Sequence, residues 1–367
     1  MILNVQYLRG IAAMMVVLFH VGDGTGRLGP GAVLPSFGWG QAGVDIFFAI
    51  SGFIIWTATR EGNGGPADFV LKRLIRVAPL YWLLTVLLAG VALVLPGLLS
   101  STVLRGDHLL ASLLFVAYPH PTLGALNPLL FVGWTLNYEM AFYALFALGL
   151  FLPLEHRFKA IAGALLALSS IGILLRPQGI AGFYTDPILM EFACGLAIGA
   201  AYTRGIRLPL GVSGLMILVG TLGVVSSGAH PDPRWLVAGI PAAMIVAGAV
   251  FLHRAKGSAS LPLLKLLGDA SYSIYLTHLF TIPVVQVAWK KVGPEAVGSA
   301  AIAYMSLAIL ASALVGILCH FALERPLARL CHPLVRTKAE NLMPEAKPSG
   351  FAAWRRRRAD KAGAAVR

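Results

Sequence analysis

Arg9 and His20 lie eleven residues apart in an otherwise apolar stretch. A helix turns about 1100° over that interval, about 20° past three full turns, so both side chains share one face about 16 Å apart. Ionisable groups at bilayer depth cost several kcal/mol and mark function by default. Imidazole titrates near neutrality and suits a general base for a hydroxyl, while a guanidinium binds or polarises an anionic or carbonyl group. The competing reading of each such residue is a satisfied hydrogen bond between helices.

Other candidates follow along the chain. Asp45 opens the segment Gly43-Val44-Asp45-Ile46-Phe47-Phe48-Ala49-Ile50-Ser51-Gly52-Phe53, at a depth comparable to His20. A carboxylate there fixes a histidine tautomer through Nδ1–H, or simply favours a helix N-terminus. Ser51 and Gly52 read best as a close-packing pair of small residues. Glu139 ends the run Trp134-Thr135-Leu136-Asn137-Tyr138-Glu139 about one and a half turns below an interfacial tryptophan. Glu191 and His320 are weaker candidates of the same kind. Arg73 and Arg76 stand one turn apart in what reads as an inner loop, Phe69 to Tyr81. Two guanidiniums on one face suit a phosphorylated cytosolic ligand, although topology alone also places cations there. Ser271, Tyr275 and His278 form a polar stripe at i, i+4 and i+7.

The elements that must position these groups are membrane helices. Apolar residues make up 57% of the 367, against 12% charged, about half the charged share of soluble proteins. With a mean hydropathy of +0.78, soluble, disordered, collagenous and disulfide-scaffold classes are excluded. Stretches near 3–21, 41–59, 79–99, 133–153, 158–175, 186–203, 208–227, 235–252, 271–289 and 298–322 predict an all-α polytopic membrane protein with ten spans. The shorter apolar stretch Leu109 to Val116 is predicted to lie at the interface or re-enter. The first stretch lacks a clean cleavage signal and is read as a span of the mature chain.

With the N-terminus inside, 22 of the 29 Lys and Arg fall on the inner side, six outside and Arg9 within the first span. That bias predicts two cytoplasmic termini. Residues 1–331 are therefore read as a membrane-embedded domain and 332–367 as a basic, disordered cytoplasmic tail. The tail holds nine Lys and Arg, including Arg355 to Arg358, which accounts for much of the +13 net charge. It suits anionic lipid better than nucleic acid. Cys194, Cys319 and Cys331 form no CxxC pair, so neither a disulfide framework nor a metal cluster is predicted.

Together these pieces resemble the integral-membrane acyltransferase-three family. The resemblance covers roughly residues 3 to 330. It rests on Arg9 with His20, on Gly43-Val44-Asp45 running into Phe48 to Phe53, and on Arg73, Arg76 and Pro79 with Tyr81. It extends to Trp134-Thr135-Leu136 with Glu139 and Phe142-Tyr143, to Ser271-Tyr272-Ser273 leading to His278, and to Glu324-Arg325-Pro326. The opening Gln6 to Ala13 and the Trp134 to Glu139 segment look most like the exopolysaccharide O-acetyltransferase branch. The resemblance implies transfer of an acyl group, usually acetyl, from cytosolic acyl-CoA to a hydroxyl of a cell-surface polysaccharide or its lipid-linked precursor. It also implies residence in the bacterial inner membrane. His20 would then be the general base, with Arg9, Asp45 and Glu139 in the catalytic set. Arg73, Arg76, Tyr81, Ser271, Tyr275 and His278 would hold or line the donor. No metal is implied. The rival reading is a polysaccharide or lipid transporter without acyl-transfer chemistry.

Overall fold

The computed structural model describes residues 2–24, 28, 31–60, 65–95, 97, 103–122, 124–228 and 232–331. The predicted tail, 332–367, lies outside them. The fold is helical, and ten helices of 15 or more residues coincide with the ten apolar stretches among the described residues. They are α1 (Leu3–Asp23), α2 (Ala42–Arg60), α3 (Pro66–Val94), α5 (Trp134–Gly149), α6 (Leu154–Leu175), α8 (Leu189–Thr203), α9 (Leu210–Ser226), α10 (Ile240–Lys256), α12 (Ser271–Val292) and α13 (Ser299–Cys319). Short helices α4 (Gly106–Leu113), α7 (Gly179–Tyr184), α11 (Pro262–Asp269) and α14 (Arg325–Cys331) complete the set.

Six segments among the described residues are long and apolar enough to cross a membrane by length and composition: α1, α2, α3, α6, α10 and the α13–α14 stretch. The shorter α5 and α8, at 16 and 15 residues, reach about 24 and 22 Å at 1.5 Å per residue, less than a hydrocarbon core of about 30 Å. The chain is an integral membrane protein.

Burial separates the helices by role. Buried residues make up 61% of the apolar window in α1 and 67% in α2, but only 17% in α6 and 33% in α13–α14. Leu166, Ile173 and Leu174 of α6 and Ile302, Leu310 and Leu314 of α13 are exposed, as a lipid-facing surface requires. Helix α1 instead packs against α2, α10, α11, α12 and α13. Close approach of α2 and α8 depends on two glycines. A Cβ on Gly52 would meet the Phe192 carbonyl oxygen at 2.3 Å, and one on Gly195 the Ala49 oxygen at 2.1 Å. Small residues are what let helix backbones touch in lipid. The Leu109 to Val116 stretch becomes α4, tied beneath α3 by Tyr81 Oη and Trp82 Nε1 donating to the carbonyls of Ser112 and Leu113.

One predicted boundary is corrected. The segment holding Arg73 and Arg76 is not a loop but the first third of α3, which starts at Pro66 and continues through Pro79. A proline at the first helical position and Asp68 in the first turn start the helix early. Sequence hydropathy marks only where it enters the apolar layer.

Candidate active site

A cavity of about 1110 Å³ runs between α1, α2, α3, α5, α12 and the end of α13. Five arginines line it: Arg9, Arg73, Arg76, Arg325 and Arg329. Arg9 of α1 has Nη1 3.4 Å from Gln6 Oε1, and Arg73 and Arg76 come from the first third of α3. Arg76 is 43% exposed, which puts this end of the cavity at the protein surface.

Three carboxylates line the same space: Glu139, Asp269 and Glu324. Glu139 accepts from Ser51 Oγ at 2.9 Å and from the Tyr143 hydroxyl, joining α2 to α5. Glu324 lies in a π-helical turn, His320–Glu324, of the kind that recurs at functional sites. Its Oε2 accepts from Ser273 Oγ and His320 Nδ1, both at 2.7 Å, and Oε1 lies 3.1 Å from Arg76 Nη1. Arg73 Nε and Ser271 Oγ are buried, line the cavity and have no hydrogen-bond partner among the described residues. Buried polar atoms normally find partners. Two orphans on a cationic cavity are what a polar, anionic ligand would satisfy.

Tyr275 is the innermost member of the α12 stripe to line this cavity. Its hydroxyl lies 3.0 Å from Thr135 Oγ1 and donates towards the Val132 carbonyl at 3.2 Å. One turn further along α12, His278 is fully buried, its ring centroid 5.9 Å from that of Tyr275. His20 lies on the other side of His278, the two imidazoles 5.0 Å apart and tilted by 32°. The stripe and the first-span histidine thus converge, although they are remote in sequence. The Nδ1 of His278 sits 3.3 Å from the Ile274 carbonyl, which can only accept, so Nδ1 carries the proton and Nε2 is left as a bare acceptor.

Two expected placements are corrected. Asp45 does not orient His20: its oxygens are held by Arg234, Nε to Oδ1 at 3.0 Å and Nη2 to Oδ2 at 2.7 Å. A fully buried carboxylate takes the bidentate cation that packing offers it. Tyr81 does not line the cavity. It is 0% exposed, stacks on Phe115 at 4.9 Å and closes over Gly133.

Sequence reasoning passed over Arg234, weighed Ser51 as a packing residue, ranked His320 low, and met Tyr143, Ser273 and Glu324 only inside the motifs of the resemblance. A usable signal existed for Arg234. It is one of few arginines predicted on the outer side, and a buried Asp45 demanded a cation. Among the described residues, no group of three or more His, Cys, Asp or Glu side chains could hold a metal ion.

The acyltransferase domain family, Acyl_transf_3, matches residues 2–321. The chain belongs to that family. It is 39% identical over 316 residues to the exopolysaccharide production protein ExoZ of Rhizobium meliloti (strain 1021), covering 85% of this chain and 95% of that protein. It is 28% identical to the acyltransferase MdmB of Streptomyces mycarofaciens, over 79% of this chain and 81% of that one. It is 27% identical to the putative membrane-bound transacylase BcsY of Komagataeibacter xylinus, over 75% of this chain and 71% of that one. No solved structure matches the chain. The chain is accordingly a membrane acyltransferase.

Proposed function

We propose that this protein transfers an acyl group, acetyl in the simplest case, from cytosolic acyl-CoA to a hydroxyl of an exported polysaccharide or its lipid-linked precursor, in the bacterial cytoplasmic membrane. The observation that carries this reading is that five arginines, Arg9, Arg73 and Arg76 among them, line one cavity whose inner end, at Tyr275, lies one helical turn from the His20–His278 pair. The likeness to ExoZ supports a polysaccharide as acceptor.

Arg73 and Arg76 take phosphate groups of the donor, because guanidinium donates to phosphate bidentately. Ser271 offers a hydroxyl to the donor along the cavity wall, and Arg9, deeper on α1, polarises the thioester carbonyl. His20 removes the proton from the attacking hydroxyl as the new C–O bond forms. The tetrahedral centre then collapses, the C–S bond breaks, and the proton held by His20 passes to the departing sulfur. The products are an ester and CoA thiol, with His20 neutral again. His278, with its proton on Nδ1, packs beside His20 with the two rings 5.0 Å apart.

The test is acyl transfer from labelled acetyl-CoA to membrane glycan by purified protein, with CoA binding measured in parallel. His20→Ala should lower transfer by about 10²–10⁴-fold, the usual contribution of general-base catalysis, while CoA binding stays near wild type. A loss below about tenfold would remove His20 as base. A wild-type protein that binds no acyl-CoA would remove the donor assignment.

A further inference from the structure

The cavity and the histidine pair do not share a wall. Ser271, Tyr275, Phe47 and Thr135 line the cavity; His20 and His278 are absent from its lining among the described residues. Tyr275 and His278 are three residues apart on α12, about 4.5 Å along the axis, so the boundary falls within one helical turn. Three contacts hold Tyr275 there. Its hydroxyl donates to the Val132 carbonyl at 3.2 Å and lies 3.0 Å from Thr135 Oγ1, across from α12 to the start of α5. The Phe47 ring packs edge-on against Tyr275 with centroids 6.0 Å apart. Phe47 in turn touches all three hydrophobic clusters of the core, so it has little room to yield.

Resting on the reading of the cavity as the acyl-CoA site, we propose that Tyr275, latched to Thr135 and backed by Phe47, is the partition between the donor cavity and the His20–His278 pair, and that it selects the length of the acyl group. Phosphates gripped at Arg73 and Arg76 leave the thioester pointing inwards, so its acyl end meets the Tyr275 ring. A two-carbon group brings the carbonyl carbon up to that ring, one turn of α12 from the histidines. A longer chain has nowhere to go beyond the partition. It holds its carbonyl back by its own length, or folds into the cavity at a loss of affinity. One methylene too many in a closed apolar pocket costs about 10–200-fold in discrimination.

The experiment uses the full chain in lipid nanodiscs and acetyl-CoA, butyryl-CoA and hexanoyl-CoA as probes, with binding and release of free CoA thiol by water as readouts. Wild-type protein should prefer acetyl-CoA over hexanoyl-CoA by about tenfold or more. Tyr275→Ala and Phe47→Ala should bring that ratio towards one, because the wall that stops the longer chains is removed. Thiol release without acceptor should rise several-fold in both, because water then reaches the thioester from the histidine side. Tyr275→Phe keeps the ring and should keep the chain-length ratio. If Tyr275→Ala does not fold, Tyr275→Leu carries the same test. An unchanged ratio in folded variants that bind acetyl-CoA overturns the partition, as does a wild type with no chain-length preference. A wild type that binds none of the three probes overturns the donor reading, and the partition with it.

Discussion

Two arginine–carboxylate pairs sit at different places in this bundle and are built differently. At the start of α2, Asp45 is 0% exposed and gripped by two parallel bonds from Arg234, whose guanidinium also lies 5.9 Å from the Trp134 ring. At the cavity mouth, Arg76 meets Glu324 through one 3.1 Å contact and is itself 43% exposed, while the second oxygen of Glu324 is shared by Ser273 and His320. The first pair has both carboxylate oxygens committed and no route for exchange. In the second, the carboxylate is fixed from behind and the cation is free to swing to another anion. A lock and an exchangeable contact can thus be told apart by denticity and by which partner is exposed.

The largest effect should fall on the lock. Asp45→Ala leaves Arg234 without its partner, and breaking a buried pair typically costs about 3–5 kcal/mol. Thermal unfolding in detergent should show that loss, and Arg234→Lys should recover little of it because bidentate geometry is gone. A melting temperature near wild type for Asp45→Ala would erase the distinction between the two pairs.

The exchangeable contact should behave in the opposite sense. Arg76→Ala is expected to change stability by less than about 1 kcal/mol, as a half-exposed pair does. It should weaken acyl-CoA binding by about 1.5–3 kcal/mol, the range for hydrogen bonds to charged groups. Equal effects on melting and on binding would mean that Arg76 is part of the scaffold. Glu324→Gln sharpens the point. With the competing charge gone, Arg76 is released to the donor, and acyl-CoA affinity should rise by up to about 1 kcal/mol. A fall would show that Glu324 helps to place Arg76 instead of restraining it.

The smallest effect should come from a third pair, outside both sites. Asp107 is exposed, takes Arg105 Nη2 at 2.8 Å and the Tyr118 hydroxyl at 2.9 Å, and these hydrogen bonds hold its carboxyl well below the usual range. A depressed folded-state value means its contribution is present above the unfolded value of about 3.9 and is lost only as pH falls below it. The melting difference between wild type and Asp107→Asn should therefore be small, constant from pH 7 to about pH 5, and shrink only below about pH 4. A difference that vanished between pH 7 and 5 would show that the carboxyl is not held by these bonds.

The amino-acid sequence by itself determined the ten apolar segments, the shared face of Arg9 and His20, the one-turn spacing of Arg73 and Arg76 and the stripe on α12. Each is a local periodicity, which a helix imposes on neighbours in the chain whatever surrounds it. It also carried the family, because the order of short motifs survives without knowledge of contacts. The sequence could not say which helices become neighbours. Asp45 and Arg234 are 189 positions apart, and only packing of α2 beside the start of α10 decided that Asp45 answers an arginine and not His20. The same holds for His278 against His20, for Glu324 behind Arg76, and for Tyr81, whose hydroxyl went to the α4 backbone instead of the cavity. Hydropathy gives a residue's depth, and periodicity gives its face. Its partner is set by the rotation of whole helices about their axes, which close-packing glycines such as Gly52 and Gly195 fix in three dimensions and no local pattern records.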